Sequence, residues 1–181
     1  MSTFIYLFCK LQYIYIRLIY INVVENINIE NLPHRKGVQA YIFNEKDELL
    51  IVCGASEDKF WKVPSGGVEV EESLETTVKR EMKEELSVDT DILKKLDFKN
   101  KFDWSRNVIE EQSFKYRGQE QTIFIVRIKK YQKIVLDNKE LQDYAWIKFN
   151  DINNYLKLES QRDMAIRVLK EYKILKKNSY L

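Results

Sequence analysis

The chain has 181 residues, a formal net charge of +2 at pH 7, two cysteines and one histidine. A charge this close to zero argues against a dedicated surface for polyanions such as DNA, and the length predicts one domain with a core of normal size. Cys9 and Cys53 supply neither a disulfide framework nor a zinc-ligand spacing, so we expect a reducing, cytoplasmic location.

An apolar stretch over residues 4–24 comes first. It is long enough to span a bilayer, but Lys10 and Arg17 interrupt it, and each charge costs about 2.5–3.5 kcal/mol near a membrane centre. Three interpretations stay open: an interfacial anchor, an extra strand or helix on the domain, and translated sequence upstream of the natural start, which we favour. We therefore predict an N-terminal extension over residues 1–30 and a domain over residues 31–178, and we expect no membrane partner.

Two β-rich runs follow, residues 37–44 and 48–53, and the short polar turn between them predicts a hairpin. Residues 60–64 then lead into Gly66 and Gly67. Paired glycines permit a tight turn and let the backbone approach a ligand closely, so we predict a turn here.

The next element is a helix over residues 74–86, which starts after Ser73, a good N-cap. No glycine or proline interrupts it. Apolar residues recur at every fourth position, namely Leu74, Val78, Met82 and Leu86. This stripe predicts that one face of the helix packs against the core.

Three carboxylates crowd onto one patch of that helix, because Glu81, Glu84 and Glu85 fall within about one turn of one another. One interpretation is a solvated acidic face that is paired in part with the interleaved basic residues. The other is a cation site, since like charges repel unless a cation joins them and carboxylate oxygens suit Mg²⁺ or Mn²⁺. Composition alone leaves both open.

After this helix in the sequence, runs of β-branched and aromatic residues predict strands over residues 92–98, 108–114, 121–128 and 143–149. Asp151 can cap a short turn or helix, and residues 160–176 predict a closing helix with apolar residues available for burial. Strands on both sides of a central helix, with a second helix at the end, predict an α/β sandwich.

The spacing of the glycine pair and the acidic helix resembles the Nudix box, Gly-x5-Glu-x7-Arg-Glu-U-x-Glu-Glu-x-Gly-U, where U is apolar. The matching residues are Gly66, Glu72, Arg80, Glu81, Met82, Glu84, Glu85 and Val88. Ser87 stands where the family has glycine, at the end of the helix. A residue in the left-handed conformation is usual at this position, and serine costs about 1 kcal/mol more than glycine in that conformation. The resemblance implies a Nudix-type α/β/α sandwich with a mixed sheet between helices.

Three further stretches resemble the RNA 5′-pyrophosphohydrolase and dinucleoside-tetraphosphate hydrolase branch of this family. Residues 117–121 resemble its Gly-Gln-x-Gln strand entry, and residues 161–172 resemble its closing helix. Glu140 resembles its acidic residue six positions before a strand tryptophan, here Trp146.

Two departures from that branch concern the substrate. Cys53 and Gly54 stand where the branch carries an arginine pair, and Ser160 stands where it carries an aromatic residue. The match therefore implies the chemistry more directly than the substrate.

The resemblance implies that Glu81, Glu84, Glu85 and Glu140 hold divalent cations, Mg²⁺ or alternatively Mn²⁺. It also implies that a backbone carbonyl near Ser65 and Gly66 reaches one metal ion. Arg80 would orient the helix carboxylates, and Glu72 would anchor the loop.

Candidate roles in catalysis and binding follow from the same resemblance. Glu84 or Glu85 is the candidate general base, with Arg80 as their partner. Arg35 is a candidate phosphate contact, and Gly66 and Gly67 are candidate substrate contacts.

The implied activity is Mg²⁺-dependent cleavage of a pyrophosphate linkage in a nucleoside di- or polyphosphate derivative by metal-activated water. RNA 5′ ends and dinucleoside polyphosphates are included. Two alternatives stay open: a (deoxy)nucleoside or pterin triphosphate pyrophosphatase, and a non-catalytic Nudix-like nucleotide-binding module. The second alternative is less favoured because every glutamate of the box is retained.

Overall fold

The computed structural model describes residues 27–55, 59–130, 132–137 and 139–178. The apolar stretch over residues 4–24 lies outside this part, so its three interpretations stay predictions. The chain divides into two units, residues 34–103 with 118–181 and residues 1–33 with 104–117. No helix in the described part is long and apolar enough to cross a membrane.

The described part of the larger unit contains two sheets. The first has the strand order β4-β1-β6-β5 and consists of β1 (His34–Ile42), β4 (Ser65–Gly67), β5 (Thr90–Asp103) and β6 (Gly118–Ile128). Strand β1 runs parallel to β6, and the other pairs in this sheet are antiparallel. The second sheet is antiparallel, has the order β3-β2-β7, and consists of β2 (Leu49–Gly54), β3 (Trp61–Lys62) and β7 (Leu141–Ile147).

Two long helices, α1 (Leu74–Leu86) and α4 (Glu159–Asn178), cover opposite faces of β1 and β6. Alternate strand residues point to opposite faces, so each strand contributes to two apolar clusters. The cluster with α1 contains Val38, Ala40, Ile42, Phe124, Val126, Val78, Met82 and Leu86. The cluster with α4 contains Tyr41, Ile123, Ile125, Ala165, Val168 and Tyr172. Helices therefore flank a mixed sheet, which confirms the predicted α/β sandwich.

The predicted strands over residues 37–44 and 48–53 are present as β1 and β2, but they belong to different sheets. Their backbones bridge at the connecting turn, where Phe43 pairs with Leu49 and the Asn44 N–H donates to the Glu48 carbonyl at 3.1 Å. The predicted hairpin therefore exists at its turn and opens beyond it.

The smaller unit is described over residues 27–33 and 104–117, and it contains a 3₁₀ turn (Ile29–Asn31) and the short helix α2 (Arg106–Glu111). The predicted strand over residues 108–114 is therefore wrong. Arg106 pairs with Glu110 at 3.0 Å across one helical turn, and Ser113 and Phe114 adopt φ values of 52° and 55°, which a strand does not allow.

The predicted short element at Asp151 is a 3₁₀ turn (Phe149–Asp151) that continues into helix α3 (Ile152–Tyr155). Asp151 occupies the N-cap position, but its side chain makes no capping hydrogen bond within the described part. Ile152 instead fixes this helix, since it is buried in the cluster under α4.

Candidate active site

Gly66 and Gly67 lie in β4 rather than in a tight turn, which corrects the prediction made for them. Gly66 pairs with Val38 and Gly67 with Gly37 of β1, and neither glycine has a positive φ. Neither position has room for a side chain, which explains why both residues are glycine. A Cβ at Gly66 would occupy the position of the Glu81 carboxyl group, and a Cβ at Gly67 would collide with the Arg35 guanidinium.

Arg80 of α1 joins the helix to the segment that precedes it. Its Nε and Nη2 donate to the two carboxylate oxygens of Glu72, both at 2.9 Å, and Nη2 also donates to the Gly67 carbonyl at 3.0 Å. These hydrogen bonds lower the pKa of Glu72 to about 2. Its Nη1 donates to Glu81 at 3.0 Å and to Glu84 at 2.8 Å. One guanidinium thus fixes the positions of three carboxylates.

The start of α1 is well capped. The Ser73 hydroxyl accepts from the Thr76 N–H at 3.1 Å, and the Thr77 hydroxyl donates to Glu72 at 2.8 Å. The far end is Ser87, at φ 57° and ψ 28°, so the predicted left-handed residue is present.

Glu85 is the most buried carboxylate of the predicted site, with 3% of its surface exposed. Its Oε2 has no hydrogen-bond partner among the described residues. Burial raises the pKa of Glu85 to about 7, the Lys62 charge opposes that rise, and the charges of Glu81 and Glu140 add to it. Glu85 therefore binds and releases a proton near neutral pH.

Glu81 and Glu84 lie on the same side of α1 and differ in exposure. Burial raises the pKa of Glu81, with Arg80 acting against the rise and the charges of Glu84 and Glu140 adding to it. The Glu84 side chain is 59% exposed and is held by Arg80.

Glu140 precedes β7, and its charge acts on the pKa of both Glu81 and Glu85. Asp137 orders that segment, since its Oδ1 accepts from the backbone N–H groups of Lys139 at 2.7 Å and Glu140 at 2.9 Å. The Glu140 carbonyl accepts from the Ala55 N–H at 2.8 Å. Sequence reasoning did not single out Asp137, although an Asp shortly before a strand is a usual signal for such a turn.

The residues present fit a divalent cation. Within the described ranges, no three Asp, Glu, His or Cys side chains stand together closely enough to hold an ion as they are placed here. The donors are nevertheless hard carboxylate oxygens, and one of them, Oε2 of Glu85, is buried without a partner. The charge of Glu140 also raises the pKa of both Glu81 and Glu85, a repulsion that a cation would relieve.

Arg35 lies on β1 opposite Gln119 of β6 and packs on Gly67. Because Gly66 faces Glu81 and successive strand residues face opposite ways, Arg35 and Glu81 lie on opposite faces of β4. The structure thus brings Gly66 to the carboxylates and Gly67 to Arg35.

The Gly-Gln-x-Gln stretch forms a row of amides at the start of β6. The Gln121 amide donates to Gln119 at 3.2 Å and accepts from Asn100 of β5 at 3.3 Å. At the positions that depart from the branch, Cys53 is a buried thiol that accepts from Gln142, and Ser160 lies in the first turn of α4.

A mixed α/β sandwich with an arginine-clamped glutamate cluster on its first long helix suits chemistry on phosphate groups. The family model described as the NUDIX domain matches residues 33–169. The chain belongs to the Nudix family and is a hydrolase that acts on pyrophosphate bonds, as predicted.

Two curated relatives match over nearly their whole length. The chain is 30% identical over 150 residues to an RNA pyrophosphohydrolase of Pelagibacter ubique, and the match covers 78% of this chain and 95% of the relative. It is 28% identical over 152 residues to an RNA pyrophosphohydrolase of a Nitratiruptor species, and that match covers 80% of this chain and 97% of the relative.

Solved structures share the fold. A C. elegans Ap4A hydrolase binary complex superposes with a TM-score of 0.58 at 14% identity, over 79% of this chain and 99% of that one. The E. coli dihydroneopterin triphosphate pyrophosphohydrolase superposes with a TM-score of 0.57 at 16% identity, over 72% of this chain and 93% of that one.

Proposed function

We propose that this enzyme removes pyrophosphate or phosphate from the 5′-triphosphate end of RNA, using Mg²⁺, with Mn²⁺ as a substitute. The observation that carries the proposal is the buried Oε2 of Glu85, which lacks a described partner and belongs to a mutually repelling set with Glu81 and Glu140. The RNA substrate is supported by relatives named RNA pyrophosphohydrolase, which this chain matches over 95% and 97% of their lengths.

The four acidic residues Glu81, Glu84, Glu85 and Glu140 would hold the cations. When bound, Mg²⁺ supplies neutralisation of phosphate charge and a lower pKa for water. Arg80 keeps Glu81 and Glu84 on one side of the helix through its bonds at 3.0 and 2.8 Å. Gly66 leaves the space that the Glu81 carboxyl group fills.

Glu85 is the stronger candidate for the general base of the two glutamates considered. Arg80 occupies one oxygen of Glu84 at 2.8 Å, whereas Oε2 of Glu85 has no described partner. In the metal-free chain, burial raises the pKa of Glu85 to about 7, so this carboxylate takes up a proton more readily than an exposed one does. The carboxylates titrate as a coupled set, so the proton belongs to the cluster with Glu85 as its main holder.

Arg35 and Gly67 would bind the substrate on the other face of β4. A guanidinium packed on a glycine can offer a planar pair of donors to a phosphate. The buried free thiol of Cys53 suits a reducing compartment, and we place the activity in the cytoplasm.

A substrate panel tests this function. The purified chain is incubated with Mg²⁺ or Mn²⁺ and 5′-triphosphorylated RNA, diadenosine tetraphosphate, deoxynucleoside triphosphates or a pterin triphosphate. We expect phosphate or pyrophosphate release to be fastest from RNA. Preference for a free triphosphate would overturn the RNA assignment, while metal-dependent release from any of them keeps the enzyme class.

Two variants separate catalysis from folding. Glu85→Gln is expected to keep the circular dichroism spectrum and lose metal-dependent turnover. Glu75→Gln is the matched control, since Glu75 lies on the same helix and forms only an exposed pair with Lys95. Full activity in Glu85→Gln would contradict the proposed role of the cluster.

A further inference from the structure

The clustered carboxylates must accommodate a substrate that is itself polyanionic, so the cations around them matter. Arg80 is not available to that substrate. Its Nε, Nη1 and Nη2 already donate to Glu72, Glu81, Glu84 and the Gly67 carbonyl at 2.8–3.0 Å. Its charge is therefore used inside the protein, where it positions other groups.

Lys62 is a second cation on this side of the molecule. It lies in β3 and pairs with Val52 of β2, and cross-strand partners share a face of the sheet. Val52 is completely buried in the cluster that packs under α1. Lys62 therefore extends along the face of the second sheet that looks toward α1, the helix that carries Glu85.

Lys62 combines a half-buried side chain with the lack of an ion pair among the described residues. The side chain is half-buried, and no carboxylate of the described residues lies within ion-pair distance of it. Lysines of β5 instead pair with glutamates, as Lys94 does with Glu171 at 2.8 Å and Lys95 with Glu75 at 3.1 Å. Lys62 thus keeps an uncommitted ammonium group.

The electrostatics of Glu85 agree with this placement of Lys62. Burial raises the pKa of Glu85, and the charge of Lys62 opposes that rise. Ser65 follows Lys62 by three residues, and its backbone also lowers the pKa of Glu85, so one short segment brings both groups toward the same carboxylate.

We infer that Lys62 is a phosphate-binding residue, whose ammonium group contacts a non-bridging oxygen of the substrate's polyphosphate beside the glutamate cluster. A lysine suits this role because its flexible stem carries a point charge that can follow a phosphate. The inference rests on the proposed function, since it supplies the positive charge that Arg80 cannot offer.

Equilibrium binding tests the inference without catalysis. The probe is a guanosine 5′-triphosphate analogue in which methylene groups replace both bridging oxygens, used with excess Mg²⁺ and measured by titration calorimetry on the full chain. Lys62→Gln is expected to weaken binding about 10- to 100-fold, the effect of losing a hydrogen bond to a charged group. Lys62→Arg should restore most of the affinity. The matched control is Lys79→Gln, which removes an exposed charge of α1.

Two results would overturn the inference. One is an affinity of Lys62→Gln for the probe that equals that of the unaltered chain. The other is an equal loss of Mg²⁺ affinity in the absence of the probe, which would give Lys62 a role in metal binding. If Lys62→Gln does not fold, Lys62→Met keeps the length of the side chain and gives the same comparison.

The outcome is independent of the hydrolysis assay. A chain that binds the probe but cleaves no substrate of the panel would refute the proposed function, while the affinities still decide the role of Lys62. In an active enzyme, Lys62→Gln should raise KM by the same factor and change kcat much less.

Discussion

Arg80 and Glu72 form a two-point ion pair, with Nε donating to Oε1 and Nη2 to Oε2, both at 2.9 Å. Glu72 precedes the helix cap at Ser73, and Arg80 lies two turns into the helix. The same guanidinium reaches Glu81, Glu84 and the Gly67 carbonyl. A single side chain therefore couples the β4 backbone, the loop and the acidic face of α1.

Glu72→Gln should lower the free energy of unfolding at pH 7 by about 2 kcal/mol, because a hydrogen bond between two charged groups is lost. The pKa of Glu72 is lowered to about 2 in the folded chain from an ordinary value of 4.5. Its stabilisation is thus complete above about pH 4.5 and is lost as the pH falls toward 2. Urea unfolding at several pH values measures both effects.

The difference in the free energy of unfolding between the unaltered chain and Glu72→Gln should therefore become smaller below pH 4.5. Glu75→Gln is the control, since its exposed pair with Lys95 contributes little. A gap that stays constant down to pH 3 would show that Arg80 does not stabilise the charged form of Glu72.

Gly66→Ala should lower kcat/KM about 100-fold, because the new Cβ would occupy the position of the Glu81 carboxyl group and displace a predicted metal ligand. The stabilisation of the fold by Mg²⁺, seen as a shift in Tm, should shrink as well. Gly54→Ala is the matched control, since a Cβ there meets no described atom within 4 Å. Equal activity of the two variants would refute this geometry.

Binding of Mg²⁺ should weaken about tenfold from pH 8 to pH 6, because the metal-free pKa of Glu85 is raised to about 7 and the ion binds the charged form. Calorimetry in buffers of different ionisation enthalpy should show nearly one proton released per site at pH 6 and almost none at pH 8. In Glu85→Gln both the proton release and this pH dependence should disappear. A wild-type affinity that does not change with pH would rule out a Glu85 ligand with a raised pKa.

Local patterns predicted the central helix and its ends. Ser73, the apolar stripe from Leu74 to Leu86 and the left-handed residue at Ser87 are all present in the structure, because capping and helical periodicity depend on neighbouring residues. The strands were predictable for a similar reason, since β-branched and aromatic runs mark them wherever they pair.

Long-range pairing explains what sequence reasoning missed. The glycine pair was expected in a turn, but β1 pairs with it and makes it a strand, and nothing local to Gly66 and Gly67 encodes that partner. Lys62 was overlooked for the same reason, because only the pairing of β3 with β2 turns it toward α1. Residues 108–114 were mistaken for a strand because their apolar pairs suit either structure, and the Arg106–Glu110 spacing favours a helix.

Ser87→Gly should raise the free energy of unfolding by about 1 kcal/mol, since φ 57° and ψ 28° cost a residue with a Cβ about that much. For a chain of this size the gain corresponds to a rise in Tm of about 2–4 °C. The Ser87 N–H donates to the Lys83 carbonyl at 3.1 Å, and glycine keeps that bond. Ser87→Ala is the control, because it removes the hydroxyl but keeps the Cβ and should give no gain in stability.

The Tm values of the unaltered chain and the two variants test this prediction. Equal stability of the glycine and alanine variants would mean that backbone strain at Ser87 is negligible. Because the substitution leaves every carboxylate of the cluster in place, kcat/KM should stay unchanged in both variants.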